Sequence, residues 1–275
     1  MAHPQIAVFA RLAKDNAKPL RKIEGQRTML GRTMHGIAYD PVHDEILVPQ
    51  PFAQSVLIFN GAISGEQPPV RHIHGPLTQL SDPDKLDIDP VHNEIYVPDR
   101  DKILVFSRTA NGNVAPLRVI KMSKDRRVDA VTVDPAHNVV IATADASPYS
   151  GSGGKLPKIL FFDRTAKGEA EPKGIVTGPK SMLTGTFGIR AHPQKGLVLI
   201  CMNGPVTVGA HEGAFVGAWS INDNGDVPPK WTIGGPQGVL KQPRGVDLDV
   251  KNKSIVVSDK VRNAVLTFYF PEIFN

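Results

Sequence analysis

Short apolar runs alternate with turns of Gly, Asn, Asp and Pro along the whole chain, a pattern that predicts strands and tight turns rather than long helices. Two elements recur within it. In the first, a β-rich run ends in an aromatic residue, passes through a turn and meets a proline: Phe9 leads to Pro19, Phe59 to Pro69, Phe106 to Pro116, Phe162 to Pro172 and Trp219 to Pro229, always ten residues on. The residues between are turn formers, such as Ser64-Gly65-Glu66, Asn111-Gly112-Asn113 and Asn224-Gly225-Asp226, so each unit reads as a β-hairpin.

The second element begins as an apolar run with an Asp-Pro turn and returns as another apolar strand. Gly36-Ile37-Ala38-Tyr39-Asp40-Pro41 precedes His43 to Val48, and Leu86-Asp87-Ile88-Asp89-Pro90 precedes His92 to Val97. Three further copies are centred on Asp134, His192 and Asp249. From this turn residue to the polar residue that ends the returning strand is 10, 10, 11, 11 and 10 residues, a constancy that marks a structural repeat. Two hairpins per repeat make a four-stranded sheet of roughly 50 residues, the size of a propeller blade. Such a sheet has two apolar faces, and packing blades around an axis buries both.

The expected fold is therefore an all-β propeller forming one domain over residues 1–275. Five inner hairpins are counted, which favours five blades, and the N-terminal strands are expected to close the ring by joining the last blade. Ala264-Val265-Leu266-Thr267-Phe268 is a sixth copy of the third strand, so a six-bladed arrangement lacking one inner hairpin is the alternative.

The Asp-Pro turns, the strand ends Val97-Pro98-Asp99 and Val257-Ser258-Asp259, and the run Ile103-Leu104-Val105-Phe106 resemble NHL repeats. They are also similar to the gluconolactonase-like and virginiamycin-lyase-like propellers. The resemblance covers nearly the whole chain and implies the fold; the fold itself hosts hydrolases, lyases, RNA binders and plain binding scaffolds.

Blade topology sorts the loops onto two rims. His43, His92 and His137 share the hairpin-turn position of successive blades. Blades stack roughly 10 Å apart, whereas zinc holds its nitrogens at about 2 Å, so these are turn residues rather than a metal ring. His72 and His74 alternate on an outermost strand and read as surface residues, and His192-Pro193 reads as a turn. On the other rim the returning strands end in Gln50, Asp99, Asp145, Asn203 and Asp259. Each is expected to hydrogen-bond the turn that follows it. The gluconolactonase-like resemblance implies instead that Asp99, Asp145, Asn203 and Asp259 hold a divalent cation, for which oxygen ligands suit calcium or magnesium. The glutamate which that family contributes from an inner strand near its N-terminus has no clear counterpart here.

Just before the inner strands stand His35, Asp84, Asp129, Phe187 and Arg244, and within them Asp87, Arg190 and Asp247. Arg190 and Asp247 occupy equivalent positions in consecutive blades, which predicts a direct contact. Charges there either clamp blades together or line a ligand site, with Asp87, Arg190, Arg244, Asp247 and Tyr149 as candidate ligand residues. Two long loops on adjacent blades carry Tyr149, His211 and Glu212. The candidate catalytic groups are His35, His211 and Glu212.

Charge and cysteine content alter this picture little. Lys and Arg exceed Asp and Glu by a net +5, scattered rather than blocked, so nucleic acid is a weak partner candidate. Single-stranded RNA binding would use Arg244, Lys260 and Arg262. The lone cysteine, Cys201, lies in an apolar run and reads as a buried hydrophobe. No run is long and apolar enough for a membrane span, and no signal peptide is visible, which leaves a cytoplasmic protein or a secreted one already processed. Three classes follow: a non-enzymatic propeller binding a small molecule or a protein, a metal-assisted hydrolase or lyase acting on a lactone, sugar acid or macrocycle, and an RNA binder.

Overall fold

The computed structural model describes residues 3–122, 126–145, 156–203, 213–235 and 237–275. Tyr149, His211 and Glu212, with most of the two long loops, lie outside them. The chain divides into two compact units, Met1–Asp99 with Leu104–Leu117, and Arg100–Ile103 with Arg118–Asn275.

The repeat predicted from the sequence is present as strands. An N-terminal hairpin, β1 (Gln5–Val8) with β2 (Arg21–Glu24), forms a two-stranded sheet. Blade one comprises β3 (Ala38–Asp40), β4 (Glu45–Gln50), β5 (Ser55–Asn60) and β6 (Arg71–Ile73). Blade two comprises β7 (Asp87–Asp89), β8 (Glu94–Asp99), β9 (Lys102–Ser107) and β10 (Arg118–Lys121). Blade three comprises β11 (Val128–Asp134), β12 (Val139–Ala144), β13 (Lys158–Asp163) and, after the short β14 (Gly168–Glu169), β15 (Gly174–Val176). Blade four comprises β16 (Thr186–His192), β17 (Leu197–Met202), β18 (Phe215–Ser220) and β19 (Trp231–Gly234). Blade five has three strands, β20 (Pro243–Asp249), β21 (Ser254–Asp259) and β22 (Ala264–Tyr269). The sixth copy of the third strand is thereby placed: β1 and β22 are both third strands, one in the N-terminal hairpin and one in blade five. The N-terminal strands pair with each other, and the hydrogen-bonded order of the last blade ends at β22.

Apolar runs become strands buried on both sides. All six residues of β4, β8, β12 and β17 are buried. In the second unit, Val139, Ile141, Phe161, Val198, Ile200 and Trp219 form one cluster joining blades three and four; Leu199, Cys201, Val216, Val246 and Val257 form another joining blades four and five. Each such side chain is worth about 1.5–3 kcal/mol relative to exposure. Cys201 is fully buried and outside any disulfide, as its apolar run implied.

Two devices recur. The first is the turn between first and second strands. Asp40, Asp89 and Asp134 are fully buried, and each carboxylate accepts the backbone N–H of the histidine three residues on. The same histidine's Nδ1 lies 2.7, 2.7 and 2.9 Å from the second carboxylate oxygen. Asn252 takes the histidine's place beside Asp249 in blade five. In blade four His192 replaces the aspartate, and a 3-10 turn over Pro193–Lys195 replaces the Asx turn. A left-handed residue closes every one of these turns: Asp44, Asn93, Asn138, Gly196 and Lys253, at φ 50 to 58°.

The second device is a clasp. A fourth strand bonds in parallel to the glycine of the next hairpin turn: Ile23 to Gly65, Ile73 to Gly112, Ile120 to Gly168 and Val176 to Gly225. The glycine has positive φ in every case, from 66 to 81°.

Candidate functional site

The inner strands of blades three, four and five begin with an irregularity. Register shifts between Val128 and Ala130, between Thr186 and Ile189, and between Pro243 and Gly245. Asp129, Phe187 and Arg244 fall inside these bulges, and a bulge takes a residue out of the ladder and re-aims its side chain. These are three of the five lead-in residues that the sequence singled out by equivalence.

In the second unit the lead-in residues pair across blades. The Arg244 guanidinium carbon lies 3.6 Å from the centroid of the Phe187 ring, a cation–π contact. The backbones meet beside it: a Cβ added to Gly188 would come within 2.7 Å of Gly245 Cα, so glycine is required for blades four and five to approach this closely. Two residues further along the same strands, Arg190 Nε lies 2.9 Å from Asp247 Oδ1. The contact expected between these two is present. The burial that would make it a strong pair is not, since the side chains are 31% and 61% exposed. Thr132 Oγ1 accepts the N–H of Ala191 at 3.0 Å, linking blades three and four at the same level.

In the first unit the corresponding pair is His35 with Asp84. Nδ1 of His35 lies 2.7 Å from Asp84 Oδ1, and Lys85 Nζ lies 3.3 Å from Oδ2. Burial raises the Asp84 pKa, but the bonds from His35 and Lys85 outweigh it and leave the carboxyl below its ordinary value. The His35 side chain that makes this contact is 60% exposed. A Cβ on Gly36 would come within 2.9 Å of the Asp84 carbonyl and Lys85 Cα, so the same close approach recurs here. Asp87 is buried, and its Oδ1 accepts the N–H of Ile88; Asp247 does the same with Leu248.

Four of the strand-end side chains serve turns, chiefly the loop that leads into the first strand rather than the turn that follows, which Asp259 reaches through Arg262. Asp99 accepts the N–H groups of Ser81 and Asp82 and the Ser81 hydroxyl. Asp259 accepts those of Lys241, Gln242 and Arg262, and Gln50 Oε1 accepts that of Gly31. Burial pushes the Asp259 pKa up, and the amide bonds of Lys241, Arg262 and Gln242 pull it further down. Asp145 accepts the N–H of Arg127 and faces Lys158 Nζ at 3.5 Å. Asn203 is buried with its backbone N–H on Gly185. Among the described residues no three His, Cys, Asp or Glu side chains form a group able to hold a metal ion. His72 and His74 stack at a centroid distance of 4.2 Å, and burial, then the charge of His74, lowers the His72 pKa.

Sequence reasoning missed one buried charge cluster. Glu45 receives both Arg71 guanidinium nitrogens, at 2.8 and 2.7 Å, and Arg108 at 3.1 Å. Its signal was available, an acid opening an apolar strand, with one arginine at the start of a fourth strand and another just after a third.

Comparison with solved structures finds the hydrazine synthase of Kuenenia stuttgartiensis, at a TM-score of 0.61 and 13% identity over 91% of this chain and 67% of that one. The chain is a β-propeller. At that identity the likeness carries the fold of the propeller and nothing of its chemistry. No family model and no curated protein matches the sequence. No helix among the described residues is long and apolar enough to cross a membrane.

Proposed function

We propose that this propeller is a non-enzymatic binding scaffold of NHL-like type, whose small-molecule or protein ligand meets the side chains re-aimed by the inner-strand bulges. The observation that carries the reading is the set of three bulges that project Asp129, Phe187 and Arg244 from their ladders. Arg190, Asp247 and Arg244 then offer one carboxylate and two guanidinium groups, with Asp87 as a further candidate and Tyr149 outside the described residues. The strand-end carboxylates already accept turn amides, which favours binding over catalysis at a divalent cation. Calcium or magnesium would have to use the remaining lone pairs of Asp99, Asp145 or Asp259. Thermal shift against a panel of organic acids, sugar acids and lactones tests the reading. Stabilisation by a panel member that is lost in Arg244→Ala, with the ligand recovered unchanged, supports it.

A second reading is favoured by the 2.7 Å His35–Asp84 contact on a largely exposed side chain, an imidazole–carboxylate pair of the kind a hydrolase or lyase uses in general base catalysis. Turnover of any lactone in that panel, abolished by His35→Gln, would put this reading first.

A further inference from the structure

Blade five exposes a register position that every other third strand fills. In the third strands β1, β5, β9, β13 and β18 one carbonyl accepts an N–H from the fourth strand: Val8 from Leu20, Ile58 from Val70, Val105 from Leu117, Phe161 from Lys173 and Ala218 from Lys230, all at 2.7 or 2.8 Å. The donor always follows a proline, and three residues after it comes Ile23, Ile73, Ile120, Val176 or Ile233, of which the first four are wholly buried. Thr267 is the sixth copy of that acceptor, since Thr267 pairs with the third residue of β21 as Ile58 pairs with the third of β4. Among the described residues no fourth strand pairs with β22. The residues that follow turn away into a 3-10 turn, Pro271–Ile273, and Ile273 is buried in the core of blades four and five. Antiparallel alternation directs the N–H and C=O groups of Val265, Thr267 and Tyr269 away from β21. Val265 and Tyr269 are 63% and 73% exposed.

Going beyond the reading above, we infer that the β22 edge binds an extended acidic peptide as the fourth strand of blade five. Main-chain bonds to an open sheet edge supply the affinity, and alternate side chains supply the choice. The register of the complete blades sets what the peptide carries. Ile73 stands opposite Val56, so a β-branched residue stands opposite Val265. Arg71 stands opposite Ile58, so the peptide residue opposite Thr267 takes the arginine's place. There the charges reverse. In blade one that arginine meets Glu45, but the equivalent of Glu45 in blade five is Ser254, with Lys253 beside it, and Lys260 and Arg262 stand at the other end of β22. An acid fits where the chain's own fourth strands carry Arg21, Arg71 and Arg118. The same charges oppose a second copy, because antiparallel pairing of two β22 edges brings basic ends together.

The probe is a fluorescein-labelled peptide Glu-Pro-Val-Glu-Thr-Ile-Glu, titrated into the full chain and followed by anisotropy. Thr267→Pro removes an N–H that faces away from β21, so it blocks the edge without touching the β21–β22 ladder. Binding is expected, weakened about fivefold by Thr267→Pro, as one lost backbone bond implies. Replacing the peptide's central Glu by Arg is expected to weaken it similarly, and binding should slow amide exchange at Val265, Thr267 and Tyr269. An unchanged thermal midpoint in Thr267→Pro certifies that the variant folds; if it does not fold, Val265→Asp replaces it. No binding at about 1 mM peptide, a level that still detects an affinity near 4 kcal/mol, overturns the inference. So does equal binding by the edge variant or by the Arg peptide, or a dimer of the chain that Thr267→Pro dissolves.

Discussion

The turn joining the first two strands is built in one way in blades one to three, whereas the lead-in to the first strand differs in every blade. At the turn a buried aspartate accepts a backbone amide and faces a histidine ring each time. At the lead-in stand an imidazole on a carboxylate in the first unit and a guanidinium on a phenyl ring in the second. Three copies under one geometric demand share one chemistry. Where the copies diverge, the demand that shaped them is not the fold's own, and the lead-ins are accordingly where a ligand should be sought.

The sharpest break of this comparison is to delete one residue of each kind. Asp89→Ala takes a buried carboxylate away from the amides of Val91 and His92 and should cost about 3 kcal/mol in urea unfolding, at about 1.5–3 per hydrogen bond to a charged group. Asp89→Asn, which keeps an acceptor, should recover most of it. His35→Ala, on a side chain 60% exposed, should cost well under about 1 kcal/mol. Equal losses at the two sites would abolish the distinction.

Acidification probes the turn in which the aspartate itself is replaced. His192 is fully buried, packs 5.0 Å from the Phe274 ring, and burial lowers its pKa. A base whose folded pKa is depressed contributes stability above its unfolded value and loses it as pH falls. The urea midpoint should therefore begin to drop below about pH 6.5, the ordinary histidine value. His192→Asn should flatten that part of the profile; an identical acid limb in the variant would assign it to other groups, such as His72.

Smaller effects sharpen the lead-in side. A double-mutant cycle on Phe187→Leu and Arg244→Met should show a coupling of about 0.5–1 kcal/mol, as expected for a guanidinium over a phenyl ring. The cycle on Arg190→Met and Asp247→Leu should give less, a few tenths of a kcal/mol, because a pair this exposed is screened by water. A coupling above about 2 kcal/mol would mean that the pair is desolvated in solution.

The fold was legible because repetition multiplies a weak signal: one aromatic-to-proline spacing means little, five identical ones specify a hairpin. Equivalence between copies also placed Arg190 beside Asp247. It did not give their burial, because burial varies at one repeat position: Asp87 is buried where the side chain of Asp247 is 61% exposed. The strand-end acids were read two ways, and the structure puts Asp99 and Asp259 on turn amides, an outcome set by loop backbones that carry no sequence signature of their own. The Arg244–Phe187 contact was out of reach for the same reason, since a bulge of one residue is invisible in a run such as Gln242-Pro243-Arg244-Gly245.

The parallel clasp between each fourth strand and the next hairpin turn also bears on synthesis. Ile23 finds its partner only when Gly65 has been made, Ile73 only with Gly112, Ile120 only with Gly168 and Val176 only with Gly225. A chain emerging from the ribosome thus carries a partly unpaired outer strand at every stage, and each newly completed turn locks the blade before it. Growth proceeds as a zipper from the N-terminus, in which a pause within one blade leaves its predecessor's edge open to the wrong strand.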